Sequence, residues 1–255
     1  MNLIHIVHPH NSATYTQPME MYLAQEVIKN MSPEIKHIIR KKSVYKILDN
    51  GCYELDKSIS LNELFECAEQ INASEIILPD AMGNFQETLK LTTDALEYAY
   101  SQGIKKYQYM GVIQGTTWDE YMACAELFLS IREISVIGIP KKFMRNACKS
   151  DREAALARSL FAFEIAENVK KVNKEVHLLG LSWSIMELTS VAHLVRSCDT
   201  NNVVENIKAD KYPFSSWEES PKYSLDVPMT DEQLAQLDAA DRRAQLYLKG
   251  DSFFL

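Results

Sequence analysis

"YKILDNGCYE", Tyr45 to Glu54, sets the question on which the fold turns. A short apolar run closes on an acid, and Asn-Gly follows at once. Asp-Asn-Gly is good turn chemistry, because Asn and Gly tolerate positive φ and Asp bonds its own backbone. An acid at the end of a buried strand is also how α/β barrels deliver catalytic groups to one mouth of the sheet. The choice depends on whether the rest of the chain repeats the pattern.

Comparable runs stand at 3–7 (LIHIV), 36–40 (KHIIR), 75–79 (EIILP), 109–114 (YMGVIQ), 135–139 (SVIGI), 176–180 (VHLLG) and 196–200 (RSCDT). They are short and mostly apolar on both faces, as expected of parallel strands covered by helices. Helices are expected between them. "SLNE" at Ser60–Glu63 and "SDRE" at Ser150–Glu153 read as capping boxes. Leu61, Leu64, Phe65, Ala68 and Ile71 trace an apolar face after the first. Leu156, Leu160, Phe163 and Ala166 do so after the second. "TDEQ" at Thr230–Gln233 opens a last helix through about Leu248.

Strands alternating with helices at this spacing predict a single α/β domain, a (β/α)8 TIM barrel over 1–208, with 209–255 as a C-terminal loop and helix packed on it. An open doubly wound sheet is the alternative. Its usual glycine-rich first turn is missing from "HPHNSATY" after the first strand.

The chain has 255 residues, 46% hydrophobic and 24% charged, an ordinary globular composition. No apolar run approaches the roughly 18 residues of a membrane span. "MNLIHIVHPH" lacks a basic start and a small-residue cleavage site, so it reads as a strand and not as a signal peptide. Five scattered cysteines with no close pair disfavour a disulfide framework or a zinc site, and fit a reducing cytoplasm. A net charge of −8 argues against gripping nucleic acid with the whole surface. A local basic patch remains at Lys141, Lys142, Arg145 and Lys149. These are candidate phosphate contacts, or equally a solvated loop.

Strand ends carry His8, Asp49, Asp80, Gln114, Pro140, Ser182 and Asp199. Each has a bland reading alone: Asp80 can cap a helix, and Gln114 can precede a glycine turn. Acids repeated at one mouth of a core point to a site.

"ILDNGCYE", "ILPDAMGN", "MGVIQGTTWDEYMACAELF", "VIGIP" and "VHLLGLSW…VRSCDTN" resemble, in order, the marks of tRNA-guanine transglycosylases, from about Tyr45 to Asn201. The resemblance implies exchange of a guanine-like base at the sugar C1′ through a covalent aspartyl-sugar ester. By motif, Asp199 is the nucleophile and Asp49 the acid/base partner. Asp80 and Gln114 read the base, and Gly138 lets its edge approach backbone. It implies no cofactor and no catalytic metal, and allows a homodimer.

The departures matter too. Gly51-Cys52-Tyr53 stands for a Gly-Gly-Phe feature, "VIGIP" keeps one glycine, and no Cys-rich zinc segment follows Asp199. That pattern resembles compact, zinc-less relatives associated with 7-deazaguanine in bacteriophage DNA. The expected partners are therefore DNA in preference to tRNA, and a free 7-deazaguanine-like base. Other readings stay open: a glycosylase that excises a base by hydrolysis, a metal-dependent hydrolase using His5, His8 and His10, and a non-catalytic partner subunit. Cys52 approaches the site without a His partner in sequence reach. Trp183 and Trp217 either stack on a base or cap the barrel.

Overall fold

The computed structural model describes residues 1–181, 185–214 and 227–249; Ser182, Trp183, Trp217 and the side chain of Arg145 lie outside the described residues. Eight parallel strands form one curled sheet: β1 (Asn2–His5), β2 (Met19–Leu23), β3 (Tyr45–Asp49), β4 (Glu75–Ile77), β5 (Gln108–Val112), β6 (Ile134–Pro140), β7 (Glu175–Leu179) and β8 (Ser197–Thr200). The hydrogen-bonded order is β1-β8-β7-β6-β5-β4-β3-β2, and β1 lies against β2 to bring the barrel nearly to closure. The helices are α1 (Ala24–Lys29), α2 (Pro33–Lys41), α3 (Cys52–Leu55), α4 (Leu61–Ile71), α5 (Phe85–Ser101), α6 (Trp118–Ser130), α7 (Asp151–Lys171), α8 (Asn202–Lys208) and α9 (Asp231–Leu248). Among the described residues no helix is long and apolar enough to cross a membrane.

Two expectations from sequence fail. The run at 36–40 is helical, inside α2, and the second strand is "MEMYL". Ser32 accepts a hydrogen bond from the Ile35 N–H, Pro33 takes the first helical position, and Arg40 and Lys41 sit in the last turn. Those terminal preferences outweigh the β-branched pair Ile38-Ile39. In β2 strict alternation sends Met19, Met21 and Leu23 into the barrel interior. Tyr22, one residue out of phase, packs in the outer shell.

The second correction concerns α7. Ser150 accepts from the Glu153 N–H, but the Glu153 carboxylate turns to the Lys149 N–H at 2.7 Å, so only half of the expected box forms. Leu156, Leu160 and Phe163 are 61%, 57% and 55% exposed, so they do not form the buried face. Ala154, Ala155, Arg158, Phe161, Ala162 and Ile165 do. Both sets have helical spacing. The small-residue side lets the helix axis come close to the sheet, and that side is buried.

The core has two shells. Ile4, Ile6, Ile47, Ile77, Met110, Val112 and Val136 join the β2 residues to fill the barrel interior. A larger shell lies between sheet and helices. Each such aliphatic side chain contributes roughly 1.5–3 kcal/mol on burial. The N-terminal end of the barrel is closed by polar groups. Arg196 grips the fully buried Glu75 with both terminal nitrogens, at 2.8 and 3.0 Å, and Tyr45 Oη lies 2.6 Å from Glu75. The open end is therefore the C-terminal one.

The seam between β1 and β2 has no backbone ladder of its own. The Gln17 carboxamide takes the place of one. Its oxygen accepts the His5 N–H at 2.8 Å, and its nitrogen donates to the His5 carbonyl at 2.8 Å. No α-helix separates β1 from β2, and α9 packs on β1 and α8 instead. Leu237, Ala240 and Ala244 are buried there, and Asp241 lies 3.4 Å from the His5 ring.

Candidate active site

A cavity of about 500 Å³ opens at the C-terminal ends of the strands, within the size range of small-molecule sites. Asp49, Glu54, Asp80, Gln114, Lys141 and Asp199 all line it. The structure thus brings together Asp49, Asp80, Gln114 and Asp199 from β3, β8 and the segments that follow β4 and β5.

The opening turn does two jobs at once. Asp49 accepts the Gly51 N–H at 2.7 Å, which closes the turn and orients the carboxyl. Gly51 has φ of 79°, and a Cβ there would come 2.8 Å from Gln25 Oε1, so only glycine fits without strain. Asn50 accepts the Cys52 N–H at 2.7 Å and donates to the Leu78 carbonyl and to Asp80 Oδ1, at 2.8 and 2.9 Å. The turn after β3 is thereby tied to the end of β4.

Burial raises the Asp49 carboxyl well above its ordinary range, and the negative charge of Glu54 adds to the effect, with Asp199 and Asp80 acting more weakly. Glu54 is raised by the same two causes, burial first and then Asp199. Its Oε2 is buried without a partner at hydrogen-bonding distance and angle among the described residues, and the nearby Gln25 side chain pulls the carboxyl partly back. Sequence reasoning passed Glu54 over although it ends the opening stretch. Its place in the cavity depends on α3, a four-residue helical turn with left-handed residues on both sides that folds the chain back over the mouth.

Asp80 and Gln114 form a built pair. Gln114 Nε2 donates to Asp80 Oδ2 at 2.7 Å, and Gln114 Oε1 accepts the Gly83 N–H at 3.0 Å, which fixes the amide orientation. Burial raises Asp80, while the bonds from Asn50 and Gln114 pull it back. The Cys52 thiol, buried beside Asp80 and Asp49, is pushed up to about 12, which makes it a poor nucleophile at neutral pH.

Asp199 is held from one side. Its Oδ1 accepts the Gly180 N–H at 2.9 Å and lies 3.0 Å from His177 Nε2. Arg158, buried on α7 and paired to Glu187 at 2.7 Å, donates to the Leu179 and Gly180 carbonyls at 3.0 and 2.8 Å. It clamps the end of β7 under Asp199. His177 is fully buried in β7, and sequence alone gave it no role. Its relation to Asp199 appears only once the β7–β8 register sets His177 beside Ser197.

The other expected site residues divide. Lys141 lines the cavity with its stem against Gly180, where a Cβ would meet Lys141 Cδ at 3.1 Å. Burial and the nearby Arg158 lower its ammonium. Lys142 reaches the rim, its ammonium 4.9 Å from the centre of the Tyr53 ring. Lys149 is exposed and does not line the cavity. Gly138 does not line it either. A Cβ there would come 3.0 Å from Met110 Sδ and 3.1 Å from Leu179 Cδ1, so the missing side chain makes room for the barrel core and not for a ligand. His5 faces α9, His8 and His10 lie beyond β1, and none of the three lines the cavity. Among the described residues no group of three or more His, Cys, Asp or Glu is placed to hold a metal ion.

No protein-family model matches the chain. No curated protein sequence matches it. Solved structures share its architecture. An engineered protein aligns with a TM-score of 0.53 at 12% identity, over 96% of this chain and 69% of its own. An HpcH/Hpal aldolase/citrate lyase family protein from Burkholderia cenocepacia J2315 aligns with a TM-score of 0.51 at 8% identity, over 82% of this chain and 91% of its own. A mandelate racemase/muconate lactonizing enzyme from Roseiflexus sp. aligns at 0.47 and 11% identity over 78% of this chain, which spans 54% of that protein's length. What the chain shares with the first two is the barrel fold: a (β/α)8 TIM barrel with a C-terminal helix.

Proposed function

We propose that this chain is a pentosyl-transferring enzyme that exchanges a guanine-like base, such as a 7-deazaguanine, at the sugar C1′ of a nucleic acid, with DNA favoured over tRNA. One observation carries the reading. Two carboxyl groups, Asp49 and Asp199, line the same cavity as a pre-oriented Asp80–Gln114 pair. The order of motifs that resembles the tRNA-guanine transglycosylases supports it, and the missing Cys-rich segment favours DNA.

In this scheme an Asp199 oxygen bonds to C1′ as the C1′–N bond breaks, and the electron pair leaves with the base. Burial favours the protonated form of Asp49, so that acid has a proton to give to the departing nitrogen. The incoming base then loses its ring proton to Asp49 and attacks C1′. The ester opens, and Asp199 returns as a carboxylate. Two inversions leave the sugar configuration unchanged, as in retaining glycosidases. Asp80 accepts ring N–H donors, and the acid-rich wall suits a base that offers several. Lys141 and Lys142 line the cavity, and in this scheme they would meet the phosphates that flank a flipped nucleotide.

The test is trapping. The protein is mixed with DNA or tRNA, with and without 7-deazaguanine bases, and run on denaturing gels with mass spectrometry. A covalent adduct with DNA that Asp199→Asn removes is the expected result. Abasic sites without base incorporation would replace exchange by hydrolytic excision. No adduct and no base loss on either polymer would overturn the reading.

A further inference from the structure

The carboxylate of Asp199 is the near end of a buried chain of polar groups that runs down the barrel interior. Its members are Asp199 Oδ1, His177 Nε2 at 3.0 Å, His177 Nδ1 and Ser197 Oγ at 2.8 Å, and Arg196 Nε 3.3 Å from the same Ser197 oxygen. Arg196 is anchored in turn on Glu75 at the closed end. His177 and Ser197 are fully buried, at 0% exposure each. In a parallel barrel, buried polar groups of this kind could simply be satisfied core residues. Their donor and acceptor order says more.

A guanidinium has five N–H donors and no acceptor, so the Ser197 oxygen must accept from Arg196. Ser197 Oγ keeps a second lone pair as well as its one hydroxyl proton, so it can accept from or donate to His177 Nδ1; the acceptor-only carboxylate of Asp199 at Nε2 selects the arrangement in which Nδ1 accepts from Ser197. A neutral imidazole carries a single N–H, and with Nδ1 accepting, that proton sits on Nε2, aimed at Asp199 Oδ1. The Gly180 N–H reaches the same oxygen at 2.9 Å. Among the described residues, His177 and the Gly180 N–H both meet the Asp199 side chain at Oδ1, while the residue lines the cavity.

We infer that His177, held as its Nε2–H tautomer between the accepting Oδ1 of Asp199 and the Ser197 hydroxyl, is a positioning residue that fixes Oδ1 of Asp199 and presents Oδ2 to the substrate. The kinetic part of this inference rests on Asp199 being the nucleophile. The tautomer part does not. A reacting carboxylate held by one oxygen attacks with the other along a single direction, which is where orientation contributes most to rate. His177 itself touches neither sugar nor base.

The experiment has two arms on the full chain. The first is nitrogen-15 NMR of the histidine rings in the free protein. The expected spectrum of His177 has a protonated Nε2 and an unprotonated Nδ1. Asp199→Asn should shift it toward a mixture of tautomers, and Ser197→Ala should move the Nδ1 signal. A protonated Nδ1, or ring signals indifferent to both substitutions, would overturn the relay.

The second arm is the rate of adduct formation on whichever polymer wild type uses. His177→Gln keeps an amide N–H near the Nε2 position and should stay within about threefold of wild type. His177→Leu should lose roughly 10- to 100-fold in rate, as other outer-shell orienting residues do, with KM little changed. Circular dichroism and melting of both variants, together with the milder Ser197→Ala, separate lost positioning from lost folding. Equal rates in His177→Gln and His177→Leu would sink the positioning role. A correct tautomer in a wild type that forms no adduct would instead leave the relay standing and remove the proposed chemistry.

Discussion

Asp49 and Glu54 show what crowding acids into the cavity costs in stability. Both carboxyls are raised by burial and by neighbouring acids, so folding works against their charged forms. For an acid whose folded value is raised, stability is fully present below the unfolded value, near 4, and is lost as pH climbs toward the folded one. Asp49→Asn should therefore stabilise the protein by roughly 1 kcal/mol near pH 8 and by less near pH 5, while the proposed base exchange should fall by about 10²- to 10⁴-fold. Denaturant melts at the two pH values check the first part, and an equal gain at both would show that the charge is not the cause. At this scale the sequence is legible where a residue's role is local. Asp49 stands out because strand and turn meet there. Glu54 and His177 do not, because a fold-back after β3 and a register between β7 and β8 decide what they touch.

The elements were legible where their ends were written in capping chemistry. Ser60 and Thr230 start α4 and α9 with both halves of the capping box in place. The ambiguous cases were two short runs of mixed pattern. "KHIIR" has strand-like residues inside a well-capped helix, and "MEMYL" hides a strand behind an acid that faces out of the barrel to pair with Lys42 at 2.8 Å. In α7 both faces had helical spacing, and only contact with the sheet chose between them. That choice can be checked. Phe161→Ala removes a fully buried ring and should cost about 3–5 kcal/mol, while Leu160→Gln should stay within about 0.5 kcal/mol in the same urea titration. Comparable losses from both would mean the helix is rotated.

Across the whole molecule, repetition is what made the barrel readable. Apolar runs ending in turns recur along the chain, most of them at a spacing that leaves room for a helix, and no single element is decisive. Closure was not readable in this way. It depends on the Gln17 side chain standing in for a strand, and on α9 covering β1, which has no α-helix of its own before β2. Gln17→Leu should strand a buried donor and acceptor on His5 and cost about 2–3 kcal/mol, with faster hydrogen exchange at the His5 amide. An unchanged exchange rate there would show that the seam closes by other contacts.

That carboxamide also bears on how the chain is made. β1 pairs through its backbone with β8, which leaves the ribosome only after the other strands have been synthesised. A nascent β1 therefore waits with both edges open, the condition in which strands recruit the wrong neighbour. Gln17 lies only 12 residues from His5 and can satisfy one edge as soon as it emerges. The group that closes the finished barrel is thus also the first partner in sequence that β1 can meet.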